Sequence, residues 1–188
     1  MTLTEYNNVK DLNYLEYCDY LQNKYGKSKY NYFTENWTKI SKVSRTKEGL
    51  FAHHKCEDRA LKLGDVKWAH SQPYEYQLAE NLVYCDWLEH LFLHILITEA
   101  SLPVPDPLIP VGINGIQYYF IPQLNDFYAG LSMTMAPWEQ NCFNKIKDDL
   151  DCYKTLLKRY KETCHNHPLF DNDVFKSSYM ERHETSLR

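Results

Sequence analysis

The chain has no hydrophobic run long enough to cross a membrane; the longest, Leu91 to Ile97, is interrupted by His94. The segment Met1 to Lys10 lacks the apolar core of a signal peptide. A soluble, cytoplasmic protein with no membrane partner is therefore expected. Positive charge is not in excess either. With a net charge of −4 and a pI of about 6.1, no whole-protein field draws this chain to nucleic acid, so such a partner has to meet a local basic surface. No two of the six cysteines (Cys18, Cys56, Cys85, Cys142, Cys152 and Cys164) stand at C-x-x-C spacing, which argues against a zinc ribbon. Without a secretory signal, reduced thiols are expected, several of them buried. Internal repeats are absent. What is present is ordinary for one globular domain: 188 residues, 44% hydrophobic and 24% charged, which excludes disorder as the main theme. Sixteen tyrosines suit a packed core with amphipathic edges and suit stacking surfaces equally well.

Periodicity gives a coarse map. Leu12, Leu15, Tyr17, Cys18 and Leu21 form an apolar stripe that predicts a helix over Val9 to Tyr25, stopped at Gly26. A short helix is expected over Thr34 to Lys42, with Trp37 and Ile40 inward. Gly49 to Lys55 and Leu82 to Cys85 read as short strands, separated by a polar, irregular stretch from Cys56 to Glu80 with a helical turn near Ala60 and a break at Pro73. The best-defined helix runs from Asp86 to about Ala100, where Asp86 and Glu89 make a capping box. Pro103, Pro105, Pro107 and Pro110 end it in an extended linker. A hairpin around Asn114-Gly115 is expected within Val111 to Pro122. The remainder is expected to be helical, notably Trp138 to Cys164, with a polar tail after Pro168.

The histidines carry the chemical information. His90 and His94 are four apart on the best helix, so both imidazoles can reach one metal ion. Two half-buried histidines packing on a core would give the same spacing, and only the surrounding pattern tips the balance. A zinc protease would need Glu directly after the first His, where this chain has Leu91, so that reading loses its base.

The stretch Phe51-Ala52-His53-His54, then Asn81-Leu82-Val83-Tyr84, then Glu89-His90 and His94 resembles the HNH nucleases, a ββα-metal (His-Me finger) family. The likeness is greatest to its three-histidine branch, which includes the nuclease domains of DNase colicins, and the wording around Glu80 to Tyr84 resembles HNH proteins of bacteria and their phages. In that branch nine residues lead from the Asn to the first helical His and four more to the second. Asn81, His90 and His94 reproduce both intervals. The match covers about Arg45 to Ala100.

That resemblance implies an α+β protein, mostly helical, whose small ββα-metal core at about 45–100 is flanked by helical elaborations at 1–44 and 111–188. It implies that His53, His90 and His94 bind one divalent metal ion (Mg, Mn, Ni or Zn) and leave positions open for water and a phosphate oxygen. Three imidazoles favour borderline-soft ions such as Zn²⁺ or Ni²⁺ in binding strength. His54, on the opposite side of the strand from His53, is implied as the general base, a task that suits neutral imidazole. Asn81 is implied as the residue that bonds across the loop and holds the His54 segment. The reaction implied is hydrolysis of phosphodiester bonds in DNA to 5′-phosphate and 3′-hydroxyl ends, in restriction, phage defence or mobile-element nicking. A nuclease acting on RNA or single strands is the alternative enzyme, and a non-catalytic binding module that keeps the motif is the alternative of another class. Homodimerisation is expected because short palindromes are cut by two-fold pairs.

The chain departs from the family pattern at the 27-residue step from His54 to Asn81, which must loop out, and at Lys55, where many members carry an apolar residue. Glu57 and Asp58 read as solvated loop acids, with a bond to a ligand His as the alternative. From Lys39 to Lys67 eight basic residues face four acidic ones. Within this strip Arg45, Lys47, Lys55 and Arg59 are the expected contacts to the phosphate backbone, Arg45 foremost. The same strip also suits an ordinary solvated loop. Trp138 to Cys164 mixes both signs and reads as a surface helix, and Cys164-His165-Asn166-His167 reads as a turn before Pro168 in preference to a metal site.

Overall fold

The computed structural model describes residues 1–102, 112–130 and 136–176. Its elements are α1 (Leu3–Val9), α2 (Tyr14–Tyr25), β1 (Phe51–His54), α3 (Val66–Ala69), β2 (Leu82–Cys85), α4 (Trp87–Ser101), α5 (Ile113–Gly115), a π-helical turn (Ile116–Phe120), α6 (Ile121–Tyr128), α7 (Pro137–Asn144) and α8 (Leu150–Cys164). The fold is mostly helical α+β, with one two-stranded antiparallel sheet among the described residues.

Helix α4 is the axis of the molecule. Asp86 accepts from the Glu89 amide at 2.8 Å and Glu89 accepts from the Asp86 amide at 2.6 Å, which fixes the N-terminus as the sequence predicts. Leu88, Leu91, Phe92, Leu93, Ile95, Leu96 and Ile97 are buried around nearly the whole circumference, so this helix is surrounded on all sides. Helices α2 and α8 pack on it, and the sheet packs at its start. His90 and His94 interrupt this apolar surface on one stripe. In the sheet, His53 pairs with Val83 and His54 with Leu82. Strand alternation then sends His53 toward α4 and His54 to the other face.

Several expectations are corrected. The helix expected over Val9 to Tyr25 is two helices, because Asn13 accepts from the Leu15 and Glu16 amides (3.0 and 3.1 Å) while Glu16 accepts from the Asn13 amide, opening a new N-terminus inside the stripe. No helix spans Thr34 to Lys42. There Thr34 Oγ1 accepts from the Thr38 amide at 3.1 Å, a local bond that competes with helix, and Phe33 bridges Lys39 in antiparallel fashion. Only Ser41–Val43 makes a single helical turn, and Ile40 is half-buried. The Asn114-Gly115 hairpin is absent. Ile113, Ile116, Phe120, Ile121 and Leu124 are buried at helical spacing, and that periodicity overrides the two-residue turn signal. Trp138 to Cys164 is split between α7 and α8 by a turn at 145–149, and the helical turn expected near Ala60 lies at Lys55–Asp58. The proline linker from Pro103 to Pro110 lies outside the described residues, as does the tail from residue 177. All six cysteines are free and buried. No described helix is long and apolar enough to cross a membrane.

Candidate metal centre

His53 is fully buried, and its orientation follows from Tyr14 on α2. The Tyr14 hydroxyl donates to the Lys55 carbonyl at 3.1 Å, so its oxygen accepts from His53 Nε2–H at 2.8 Å. This assignment puts the ring proton on Nε2 and leaves Nδ1 with a lone pair. His53 Nδ1 is buried and has no hydrogen-bond partner, and the same holds for His90 Nδ1. His94 Nδ1–H donates to the Gly112 carbonyl at 3.3 Å, which frees Nε2. The three rings converge: centroids are 4.9 Å apart for His53–His90, 5.5 Å for His53–His94 and 5.1 Å for His90–His94. Phe120, from the π-helical turn, packs on His90 and His94 at 4.7 and 4.9 Å.

A carboxylate joins them. Glu57 Oε2 lies 3.4 Å from His94 Nε2 and 3.6 Å from His53 Nδ1, while Oε1 lies 3.5 Å from His54 Nδ1. One donor atom each from His53, Glu57, His90 and His94 falls within 4.8 Å of all the others, a group that could hold a metal ion. Two buried, unpartnered imidazole nitrogens beside a carboxylate suit a cation, since an orphaned buried acceptor is otherwise costly. Among the described residues no other His, Cys, Asp or Glu group converges in this way. In particular Cys164 to His167 forms a turn, with His167 accepting from the Leu169 amide.

Electrostatics keep the donors in ligand form. Burial holds the His53 ring down at about 3, and burial together with His53 and His94 holds His90 well below the ordinary histidine value.

His54 faces the opposite side, 1% exposed, with its ring 4.5 Å from Tyr32. The Gln77 amide donates to the Leu63 carbonyl, so its Oε1 accepts from His54 Nε2–H at 3.0 Å. The His54 lone pair is then on Nδ1, toward Glu57. Gln77 thus does what the resemblance assigns to Asn81. Asn81 instead donates to the Glu75 carbonyl at 2.7 Å within its own loop and does not hold the His54 segment.

His90, His94 and Glu57 open into a cavity of about 630 Å³, lined also by Lys62, Asp65, Gly115, Tyr118 and Tyr119. Arg45, Lys47, Lys55 and Arg59 do not line it. Arg45 is held by both Glu48 oxygens and the Tyr25 carbonyl and lies over the Tyr84 ring. Lys55 faces Asp19 at 3.5 Å, Arg59 pairs with Asp58, and Lys47 is exposed on a separate turn. The cation on the cavity wall is Lys62, which the sequence offers only as one of eight.

Two supports of the cluster come from outside the motif, and each yields a prediction. Tyr14→Phe removes the acceptor for His53 Nε2–H and is expected to weaken zinc binding about 10- to 100-fold in competition with a chromophoric chelator. Unchanged affinity would show that Nδ1 is presented without Tyr14. Gly115 has helical backbone angles, φ −60° and ψ −44°, which alanine adopts readily. A Cβ there would lie 2.7 Å from His94 Nδ1 and 2.9 Å from its Cε1. Gly115→Ala is expected to leave the fold intact, turn the His94 ring aside and cost at least about tenfold in metal affinity. Isothermal titration with zinc, beside a thermal melt, checks both parts.

The chain matches no family model, no curated protein and no solved structure.

Proposed function

We propose that this protein is a metal-dependent endonuclease of the HNH type, hydrolysing phosphodiester bonds in DNA in a restriction, phage-defence or mobile-element setting. The observation that carries the reading is the convergence of His53 from β1 with His90 and His94 from α4, opening onto a cavity wide enough for a phosphodiester. A bound divalent cation (Zn²⁺, Ni²⁺, Mn²⁺ or Mg²⁺) supplies Lewis-acid neutralisation of the charge that builds on the phosphoryl and leaving oxygens. The protein residues do the rest. His54 takes up the proton of the attacking water through Glu57 Oε1, which lines the cavity and lies 3.5 Å from the Nδ1 that the Gln77 bond leaves with a lone pair. Lys62 offers a positive charge on the cavity wall to the phosphate backbone. Tyr118 and Tyr119, 69% and 42% exposed at the cavity, offer flat faces to sugar or base.

Plasmid DNA incubated with the full chain and each metal in turn tests the reading, with EDTA and His54→Ala as controls. Nicked or linear product that requires both the metal and His54 is expected. Intact DNA with every metal, while RNA or single strands are degraded, would move the substrate to those polymers. No cleavage of any polymer would reduce the protein to a metal-holding module.

A further inference from the structure

We infer that Glu57 is itself a metal ligand, so that three imidazoles and one carboxylate hold the ion at rest and a phosphate oxygen enters as a fifth ligand. This deepens the reading above and rests on its metal, not on its nuclease activity. Three features support it.

The first is what faces what. With the ring protons of His53 and His94 committed to Tyr14 and to the Gly112 carbonyl, the nitrogens turned toward Glu57 Oε2 are both lone-pair acceptors. An anionic oxygen among acceptor nitrogens is repulsive unless a cation sits between them. A hydrogen-bond partner of a ligand His would instead meet that ring's N–H, and both of those are already used elsewhere.

The second is spacing. Hydrogen bonds between nitrogen and carboxylate run to about 2.7–3.2 Å. The observed separations of 3.4 and 3.6 Å are longer than that. Two donors about 2.1 Å from a tetrahedral ion lie about 3.4 Å apart, the separation seen here.

The third is position. His53 leads into the short helical turn Lys55–Asp58, which brings Glu57 back under its own strand with the side chain four-fifths covered. Its second oxygen points at His54 Nδ1, so one carboxylate links the metal donors to the face on which His54 lies.

Four such donors match Zn²⁺ or Co²⁺ in a tetrahedral shell and suit Mg²⁺ poorly, since Mg²⁺ demands six oxygen-rich positions. The full chain, stripped with EDTA and titrated with Co²⁺, tests this through its visible absorption. The wild type is expected to show the intense bands of four-coordinate cobalt. Glu57→Gln and Glu57→Ala are expected to give weaker, shifted bands as water enters the shell, with at least a tenfold loss of affinity. A faint six-coordinate spectrum from the wild type would overturn the inference without recourse to any variant. So would variants of unchanged far-ultraviolet dichroism that keep the wild-type cobalt spectrum. Tetrahedral cobalt in a protein that cleaves no nucleic acid would sustain Glu57 as ligand and remove the nuclease reading. Failure of the wild type to bind cobalt or zinc would overturn both.

Discussion

Alanine at His53 and alanine at His54 are expected to fail in different ways, although the two residues are neighbours. His53→Ala removes a ligand donor and should lower zinc affinity by more than about 100-fold, beyond the range for outer contacts. Cleavage should disappear with it. His54→Ala leaves every ligand donor in place and removes the contact to Glu57 Oε1, together with the Gln77 bond and the Tyr32 packing on the far side of the ring, so affinity should fall about tenfold and saturation remain attainable. At saturating metal its cleavage rate should still drop by about 10²- to 10⁴-fold, the usual worth of a positioned general base. Isothermal titration and a plasmid assay on the same preparations separate the two. A His54→Ala protein that cuts like wild type once saturated would take His54 out of the proton transfer and leave Glu57 as the next base to examine.

Stripped of metal, the protein should lose stability as pH falls from about 6.5 toward 3. His53 in the folded state titrates near 3 and His90 also lies well below the ordinary value of 6.5, both through burial. In this window the unfolded chain binds protons that the folded chain refuses, so unfolding gains free energy with each step down in pH. Each ring contributes up to about 1.4 kcal/mol per pH unit, or about 2 kcal/mol between pH 6.5 and 5. Urea unfolding of the EDTA-treated protein at several pH values measures this. His90→Phe should flatten the slope by one ring's share. A stability independent of pH between 7 and 5 would mean that the rings can charge in place and are not sealed. Zinc should raise stability near neutral pH and make the loss on acidification steeper, because protons then compete with the ion.

The parts of the fold legible in sequence are those fixed by neighbours along the chain. The α4 capping box needs only Asp86 and Glu89, three residues apart. The His90–His94 stripe is one helical turn, and both strands show as short apolar runs. What escaped was decided at long range. Tyr14 meets His53 across 39 positions and Gln77 meets His54 across 23, and nothing local marks either residue. Gln77 lies in the polar stretch that separates the strands, where composition says only that the chain is irregular. Asn81 has the spacing of the family residue, but it is captured by the Glu75 carbonyl beside it. Glu57 was legible as an acid near the histidines. Its direction depended on a short turn that periodicity does not encode. The Asn114-Gly115 signal failed for the opposite reason, because a strong local preference yielded to burial of Ile113, Ile116 and Phe120. Arg45 stood out by location, yet Glu48 three residues later claims it.

The aromatic and glycine supports of the histidines have a bearing on how the motif can be handled. Tyr14 arrives from before the strands, and Gly112, Gly115 and Phe120 arrive from after α4. A segment cut out at Arg45 and Ala100 would carry every imidazole and still lack the hydroxyl that selects one tautomer and the wall that steadies two rings. The motif is thus a tenant of the surrounding helices, and transplanting it onto another scaffold would require moving those four neighbours as well.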